Sequence, residues 1–257
     1  MKKDERHRQL VKERLEHIVG YKADVIQQGE EQSADLFAYA GDDKLLLEVK
    51  SRVDDLDVVR TLREAPAGTE ASRDALMERS AGISRIVHEA VGQLQTSMRH
   101  YDGVPIMWFI PDPVLGMSDA DQLMEATLLG IRWVMWRSDT GWGYAPCYLA
   151  GRTDFHKYPM LAAASVDFDD GAKLLINPYT PHLSLIRKSR LYEFFAHEDA
   201  VVDLEFKKSS TSGLILFGDF DRADDRVVLE KLSKQHPEFG FQFVDMHGLG
   251  GYRSFSV

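Results

Sequence analysis

"SADLFAYAGDDKLLLEVKSR", Ser33 to Arg52, places two apolar runs on either side of a Gly-Asp-Asp turn. Runs of this length bounded by turn residues read as the strands of a β-hairpin. The second strand carries three leucines, Leu45 to Leu47, and continues directly into Glu48-Val49-Lys50. Side chains alternate faces along a strand, so Leu46, Glu48, Lys50 and Arg52 share one face and Leu45, Leu47, Val49 and Ser51 the other. With Asp42-Asp43 as a two-residue turn, Ala40 pairs with Leu45 and Asp35 falls opposite Lys50. Asp35, Glu48 and Lys50 are therefore expected to converge at the open end of the hairpin. A slip of one residue would turn Glu48 and Lys50 to the face opposite Asp35.

Two neighbouring carboxylates in a partly buried site repel each other unless a cation lies between them, and the oxygen preference of Mg²⁺ suits such a pair. Lys50 would then help to hold an attacking water or a phosphate oxygen. The plainer alternative is a solvated ladder of Asp, Glu and Lys, contributing roughly 0–1 kcal/mol.

Outward from the hairpin, the chain reads as α/β. Asp4 to Val19 has apolar positions at Leu10, Val11, Leu15 and Ile18, the spacing of one buried helical stripe, and Gly20 ends it. "ADVIQQG" from Ala23 is a strand that precedes the hairpin. Val53 to Arg79 has no clean period and reads as an excursion of loop and short helix. Ile86, Val87, Ala90, Val91, Leu94 and Met98 then repeat with helical spacing. "VPIMWFIP" is the next strand, "SDADQLMEATLLG" a capped helix and "IRWVMWR" a further strand. Residues 1–145 thus read αβββαβαβ. Beyond them come loops rich in aspartate, proline and aromatics, then "SGLILFGDF", a helix over "DRADDRVVLEKLSKQ", and the strands "FGFQFVDM" and "GYRSFSV". This gives residues 146–257 as a smaller C-terminal α/β unit.

With 257 residues, 44% of them hydrophobic and 28% charged, the chain is long enough for a sizeable core. A formal net charge of −10 excludes a general polyanion-coating role but not a nuclease, which concentrates carboxylates at its site and holds the backbone through a local basic face. The single cysteine, Cys147, excludes an internal disulfide framework and fits a reducing compartment. The charged N-terminus lacks the apolar stretch of a signal peptide, and "VPIMWFIPDPVLGM" is too short and too broken by proline to span a bilayer. A cytoplasmic location with no membrane role is the expectation.

The order helix, strand, aspartate, tight turn, apolar run and Glu-Val-Lys resembles the PD-(D/E)xK nuclease superfamily. Within it, the Holliday-junction-resolvase-like and restriction-enzyme-like branches are the nearest. The resemblance rests on "SAD" at Ser33–Asp35, where the family often has Pro-Asp, and on "EVK" at Glu48–Lys50, thirteen positions after Asp35. It covers about the first 145 residues. It implies a restriction-endonuclease-like mixed sheet flanked by helices, and cleavage of DNA phosphodiester bonds with Mg²⁺ or Mn²⁺ in restriction, phage defence or repair. Asp35, Glu48 and the backbone carbonyl of Val49 would hold the metal, and Lys50 would position or activate the water. Gln93, in "AVGQLQ", would support Lys50 or the phosphate; its plain reading is a polar residue flanking a buried stripe. The family's first-helix glutamate has no match. "HRQ" at His7–Gln9 stands in its place, leaving Glu5, Glu31 or no third carboxylate. That gap favours an alternative, a catalytically weak or inactive nuclease-fold subunit that binds nucleic acid or serves in assembly.

Among other features, "GDFDRADD" at Gly218–Asp225 reads as a helix cap in preference to a metal motif, and "HGLGG" at His247–Gly251 as a turn. "SLIRKSRLYEFF" at Ser184–Phe195 is the best basic and aromatic cluster. It reads either as a phosphate-contacting surface of the C-terminal unit, with Arg187, Lys188 and Arg190, or as a helix packed by Leu191, Phe194 and Phe195. The arginines of "KSRVDDLDVVRTLR", Lys50–Arg63, are candidates for lining a nucleic-acid groove. Dimerisation or a partner protein is the other role open to the C-terminal unit.

Overall fold

Leu45, Leu46 and Leu47 are all fully buried, and consecutive buried residues on a strand demand cover on both faces of the sheet. The computed structural model describes residues 3–27, 32–53, 70–74, 79–112, 120–168, 171–207, 213–244 and 252–256. In chain order its first elements are α1 (Lys3–Arg14), continued by a π-helical turn (Leu15–Val19), β1 (Lys22–Val25), β2 (Leu36–Ala40), β3 (Asp43–Val53), β4 (Glu70–Asp74), α2 (Ala81–Ser97) and β5 (Val104–Asp112). There follow α3 (Ala120–Leu129), β6 (Arg132–Ser138), β7 (Gly141–Tyr148), β8 (Ala163–Phe168), β9 (Gly171–Ile176), α4 (Arg190–His197) and β10 (Val201–Val202). The last are β11 (Leu214–Ile215), α5 (Asp225–Gln235), β12 (Gly240–Phe243) and β13 (Tyr252–Ser256).

The α/β class agrees with the sequence, but the chain divides differently from a cut at residue 145. One compact unit comprises Met1–Val53, Ala81–Asp121 and Phe155–Asp203, and the other Asp54–Ser80, Gln122–Asp154 and Leu204–Val257. Residue 145 falls inside β7. The first unit holds a mixed seven-stranded sheet in the order β1-β2-β3-β5-β8-β9-β10. β1, β2 and β3 are antiparallel, β3, β5 and β8 parallel, and β8 and β9 an antiparallel pair. β6, counted by sequence as the last strand of the unit formed by residues 1–145, pairs with β7 and β12 in the second unit's sheet, ordered β11-β7-β6-β12. The turn signal Ser138-Asp139-Thr140-Gly141 folds β6 straight back onto β7, which gives it an antiparallel partner. The edge of β5 is taken by β8, so residues assigned by sequence to the C-terminal unit complete the main sheet. Part of the excursion after Val53 is also a strand, β4, paired with β13.

On one face of the main sheet, Leu45 and Leu47 join Ile106 and Trp108 of β5, Val11 and Leu15 of the first helix and its extension, and Leu191 and Phe195 of α4. Of the expected stripe on the first helix, Val11 and Leu15 are buried, whereas Leu10 and Ile18 are 38% and 58% exposed. α2 packs against β3 and β5, burying Ile83, Val87, Ala90, Val91 and Leu94. The second unit's core includes Val134, Cys147, Val228 and Leu232. Burial pushes the Cys147 thiol up to about 12, in keeping with an inert thiol. Asp224 caps α5 by accepting the Arg226 N–H at 2.9 Å, which is the capping reading of "GDFDRADD". "HGLGG" lies outside the described residues. No helix among them is long and apolar enough to cross a membrane.

α1 is tied to the sheet by one buried carboxylate. Arg14 Nη1 lies 2.7 Å from Asp167 Oδ2 on β8, and the Trp108 indole N–H donates to Asp167 Oδ1 at 3.1 Å. Burial pushes the Asp167 carboxyl up to about 6, against the opposing pull of Arg14 and Trp108. Asp167→Ala leaves the buried indole N–H unpaired and should lower unfolding free energy by about 1–3 kcal/mol. Urea denaturation measures this, and an unchanged midpoint would show that the anchor is dispensable.

Candidate functional site

The hairpin turn is Gly41-Asp42, because Ala40 pairs with Asp43 and Leu36 with Leu47. Gly41 has φ +68°, a left-handed conformation that glycine accepts without strain. This corrects the expected turn and moves the register by two residues. Asp35, one step before β2, donates its N–H to Leu47 O at 3.0 Å and so falls opposite Glu48, where Lys50 was expected. An even shift preserves parity, so the expected face is retained.

Asp35, Glu48, Val49, Lys50 and Gln93 all line one cavity of about 300 Å³. Lys50 Nζ lies 2.8 Å from Glu48 Oε1 and also donates to Gln93 Oε1. Gln93 in turn donates from Nε2 to Ser33 O at 3.4 Å, and the Ser97 hydroxyl accepts the Ala34 N–H at 2.7 Å. Two residues one turn apart on α2 thus fix both Lys50 and the segment that delivers Asp35. The Asp35 carboxylate is oriented by the Val49 N–H, which donates to Oδ2 at 3.0 Å.

The site is short of positive charge and of hydrogen bonds. Glu48 is 1% exposed, and its Oε2 has no hydrogen-bond partner among the described residues. Burial, reinforced by the negative charge of Asp35, pushes the Glu48 carboxyl up to about 8, with Lys50 offsetting only part of the effect. Burial also raises the Asp35 carboxyl, opposed by the Val49 N–H, Arg8 and Lys50. An unpartnered carboxylate oxygen beside a second carboxylate is a hard, anionic donor set that suits Mg²⁺ or Mn²⁺. Mg²⁺ commonly uses one or two carboxylates and completes its shell with water and phosphate oxygens. Among the described residues no group of three or more His, Cys, Asp or Glu side chains is arranged to hold a metal ion.

The first helix supplies Asp4, which the sequence did not single out, and His7 and Arg8 of the "HRQ" stretch. All three line the cavity, with Gln32 and Ser51, and Arg8 Nη1 lies 3.5 Å from Asp35 Oδ1. Glu5 is exposed and absent from the lining, and Glu31 lies outside the described residues. Asp4 and Arg8 were legible in one respect. They continue, at helical spacing, the stripe that buries Val11 and Leu15.

The basic cluster near Ser184 serves the structure of the first unit. Arg187 grips Asp203 through Nε and Nη2 at 2.7 and 2.8 Å, and Arg190 donates to Gly20 O at 3.2 Å. Leu191 and Phe195 are buried. This is the packed-helix reading, with Lys188 and Arg190 exposed and Lys188 the one of the three cations without a described side-chain partner. Of the arginines in "KSRVDDLDVVRTLR", Arg60 and Arg63 and the side chain of Arg52 lie outside the described residues. No family model, curated protein or solved structure matches this chain.

The raised Glu48 carboxyl has a consequence for stability. Its folded pKa, about 8, lies above the ordinary value of 4.5, so the folded state binds the proton more tightly than the unfolded chain. Stability should therefore fall as pH rises from about 4.5 through about 8 in metal-free buffer. Glu48→Gln should flatten that decline. Denaturation midpoints across the range measure it, and an equal slope in both proteins would show that Glu48 is not the titrating group.

Proposed function

We propose that this chain is a Mg²⁺- or Mn²⁺-dependent nuclease of the PD-(D/E)xK kind, hydrolysing phosphodiester bonds in DNA. The observation that carries this reading is the meeting of Asp35, Glu48, Lys50 and Gln93 in one cavity, with Glu48 Oε2 buried and unpartnered. The mixed sheet with the hairpin near its edge and α2 behind it supports a restriction-endonuclease-like arrangement. A cytoplasmic role in restriction, phage defence or repair would suit such an activity.

Asp35 and Glu48 would hold the metal, whose chemistry is to polarise the scissile phosphate and acidify a water. The chain's own residues do the rest. The Val49 N–H keeps Asp35 oriented. Gln93 and Glu48 hold the Lys50 ammonium in place, where it orients the attacking water or neutralises charge developing on a phosphate oxygen. A second reading, an inactive nuclease-fold module, is favoured by one observation. Both carboxylates already face protein cations, Lys50 on Glu48 and Arg8 on Asp35.

Incubation with linear, circular and single-stranded DNA in Mg²⁺, Mn²⁺ or EDTA separates the two readings. Cleavage abolished by EDTA is the expected result. Asp35→Ala and Glu48→Ala should each lower the rate by about 100-fold or more. Lys50→Ala should do the same while still binding metal. Wild-type rates in all three variants would move the active site elsewhere.

A further inference from the structure

Arg8 makes an unusual contact for an arginine beside a carboxylate. Its guanidinium approaches Asp35 with Nη1 3.5 Å from Oδ1. Arginine and carboxylate bind best through two parallel N–H donors at about 2.7–2.9 Å, and Arg187 achieves this on Asp203 at 2.7 and 2.8 Å. The Arg8 fork is thus loosely engaged. Its side chain is also 23% exposed, so it has a route to water. Asp35 does not depend on it for orientation, because Oδ2 is held by the Val49 N–H at 3.0 Å. Oδ1 is the oxygen left for a cation.

The same cavity carries Asp4, Asp35 and Glu48 against Arg8 and Lys50. Lys50 is committed to Glu48 and Gln93, which leaves Arg8 as the counter-charge for Asp35. A guanidinium and a divalent cation cannot both sit against one carboxylate oxygen without strong repulsion.

Resting on the metal-site reading above, we infer that Arg8 is the resident counter-ion of Asp35 and is displaced when a divalent cation binds. It stabilises the metal-free site and competes with the metal for Asp35 Oδ1. By linkage, whatever draws Arg8 away tightens metal binding by the same factor that the metal loosens Arg8. Arg8 is in this sense a gating residue, acting through Asp35.

Calorimetric titration of Mn²⁺ into the full chain, without nucleic acid, tests the inference. Arg8→Met should bind Mn²⁺ about threefold or more tightly than wild type, the range expected when one partly exposed opposing charge is removed. Arg8→Lys, which keeps the charge, should stay near wild type. In EDTA, Arg8→Met should melt at a lower temperature than wild type, and saturating Mn²⁺ should close that gap. Arg8→Gln replaces Arg8→Met in every arm if the methionine variant does not fold. Equal or weaker Mn²⁺ binding by the neutral variant overturns the inference while leaving the metal site standing. Absence of Mn²⁺ binding by wild type and by every variant removes the metal-site reading and the inference with it.

Discussion

Burying the Glu48 carboxylate at the end of a leucine-rich strand is the constraint to which the surrounding structure answers. An isolated charge there would lose several kcal/mol of hydration, so the chain must supply a cation, a proton or both. Lys50, two residues along the same face, is the nearest remedy. A lysine on a strand has freedom of its own, however, and Gln93 removes that freedom while Ser33 O fixes Gln93. The segment so fastened runs into Asp35, whose negative charge makes the burial of Glu48 harder still. A structure selected for stability alone would avoid this accumulation. Among the described residues, Glu48 Oε2 is left without a hydrogen-bond partner.

The hairpin and the shared face of Asp35, Glu48 and Lys50 were legible because strand parity is insensitive to even errors of register. Choosing Gly41-Asp42 in place of Asp42-Asp43 changes Asp35's partner from Lys50 to Glu48, yet every side chain keeps its face. Gln93 was singled out by the family resemblance, since helical spacing from the buried Ala90 and Leu94 marks it only as a polar residue at the border of the packed face. Asp4 and Arg8 were harder to find. Charged residues on a helix usually lie in solvent, and only the continuation of the Val11–Leu15 stripe marks them as inward-facing.

Sheet membership was the least legible property. Nothing local in Arg132–Ser138 says which sheet a strand of that composition will join, because pairing depends on what lies across it and not on its own residues. The short turn before Gly141 was the available signal, since a tight hairpin makes antiparallel pairing cheaper in loop entropy than a distant parallel partner. The reverse holds for β8. Its partner β5 lies more than fifty residues earlier in the chain, a pairing that no window of sequence reports.

The interleaved path of the chain bears on how the protein can be cut. β5 is buried from Val104 to Ile110 and is bonded on one side to β3 and on the other to β8. A fragment ending near residue 145 keeps every residue of the Asp35–Glu48–Lys50–Gln93 constellation but loses β8, β9 and β10, together with the cover that Leu191 and Phe195 give to Leu45 and Leu47. What remains is a long apolar strand with a free row of amides and carbonyls, the template on which copies stack edge to edge into aggregates. The residues of the cavity lie in the first half of the chain, and the strands that complete their sheet come from the second.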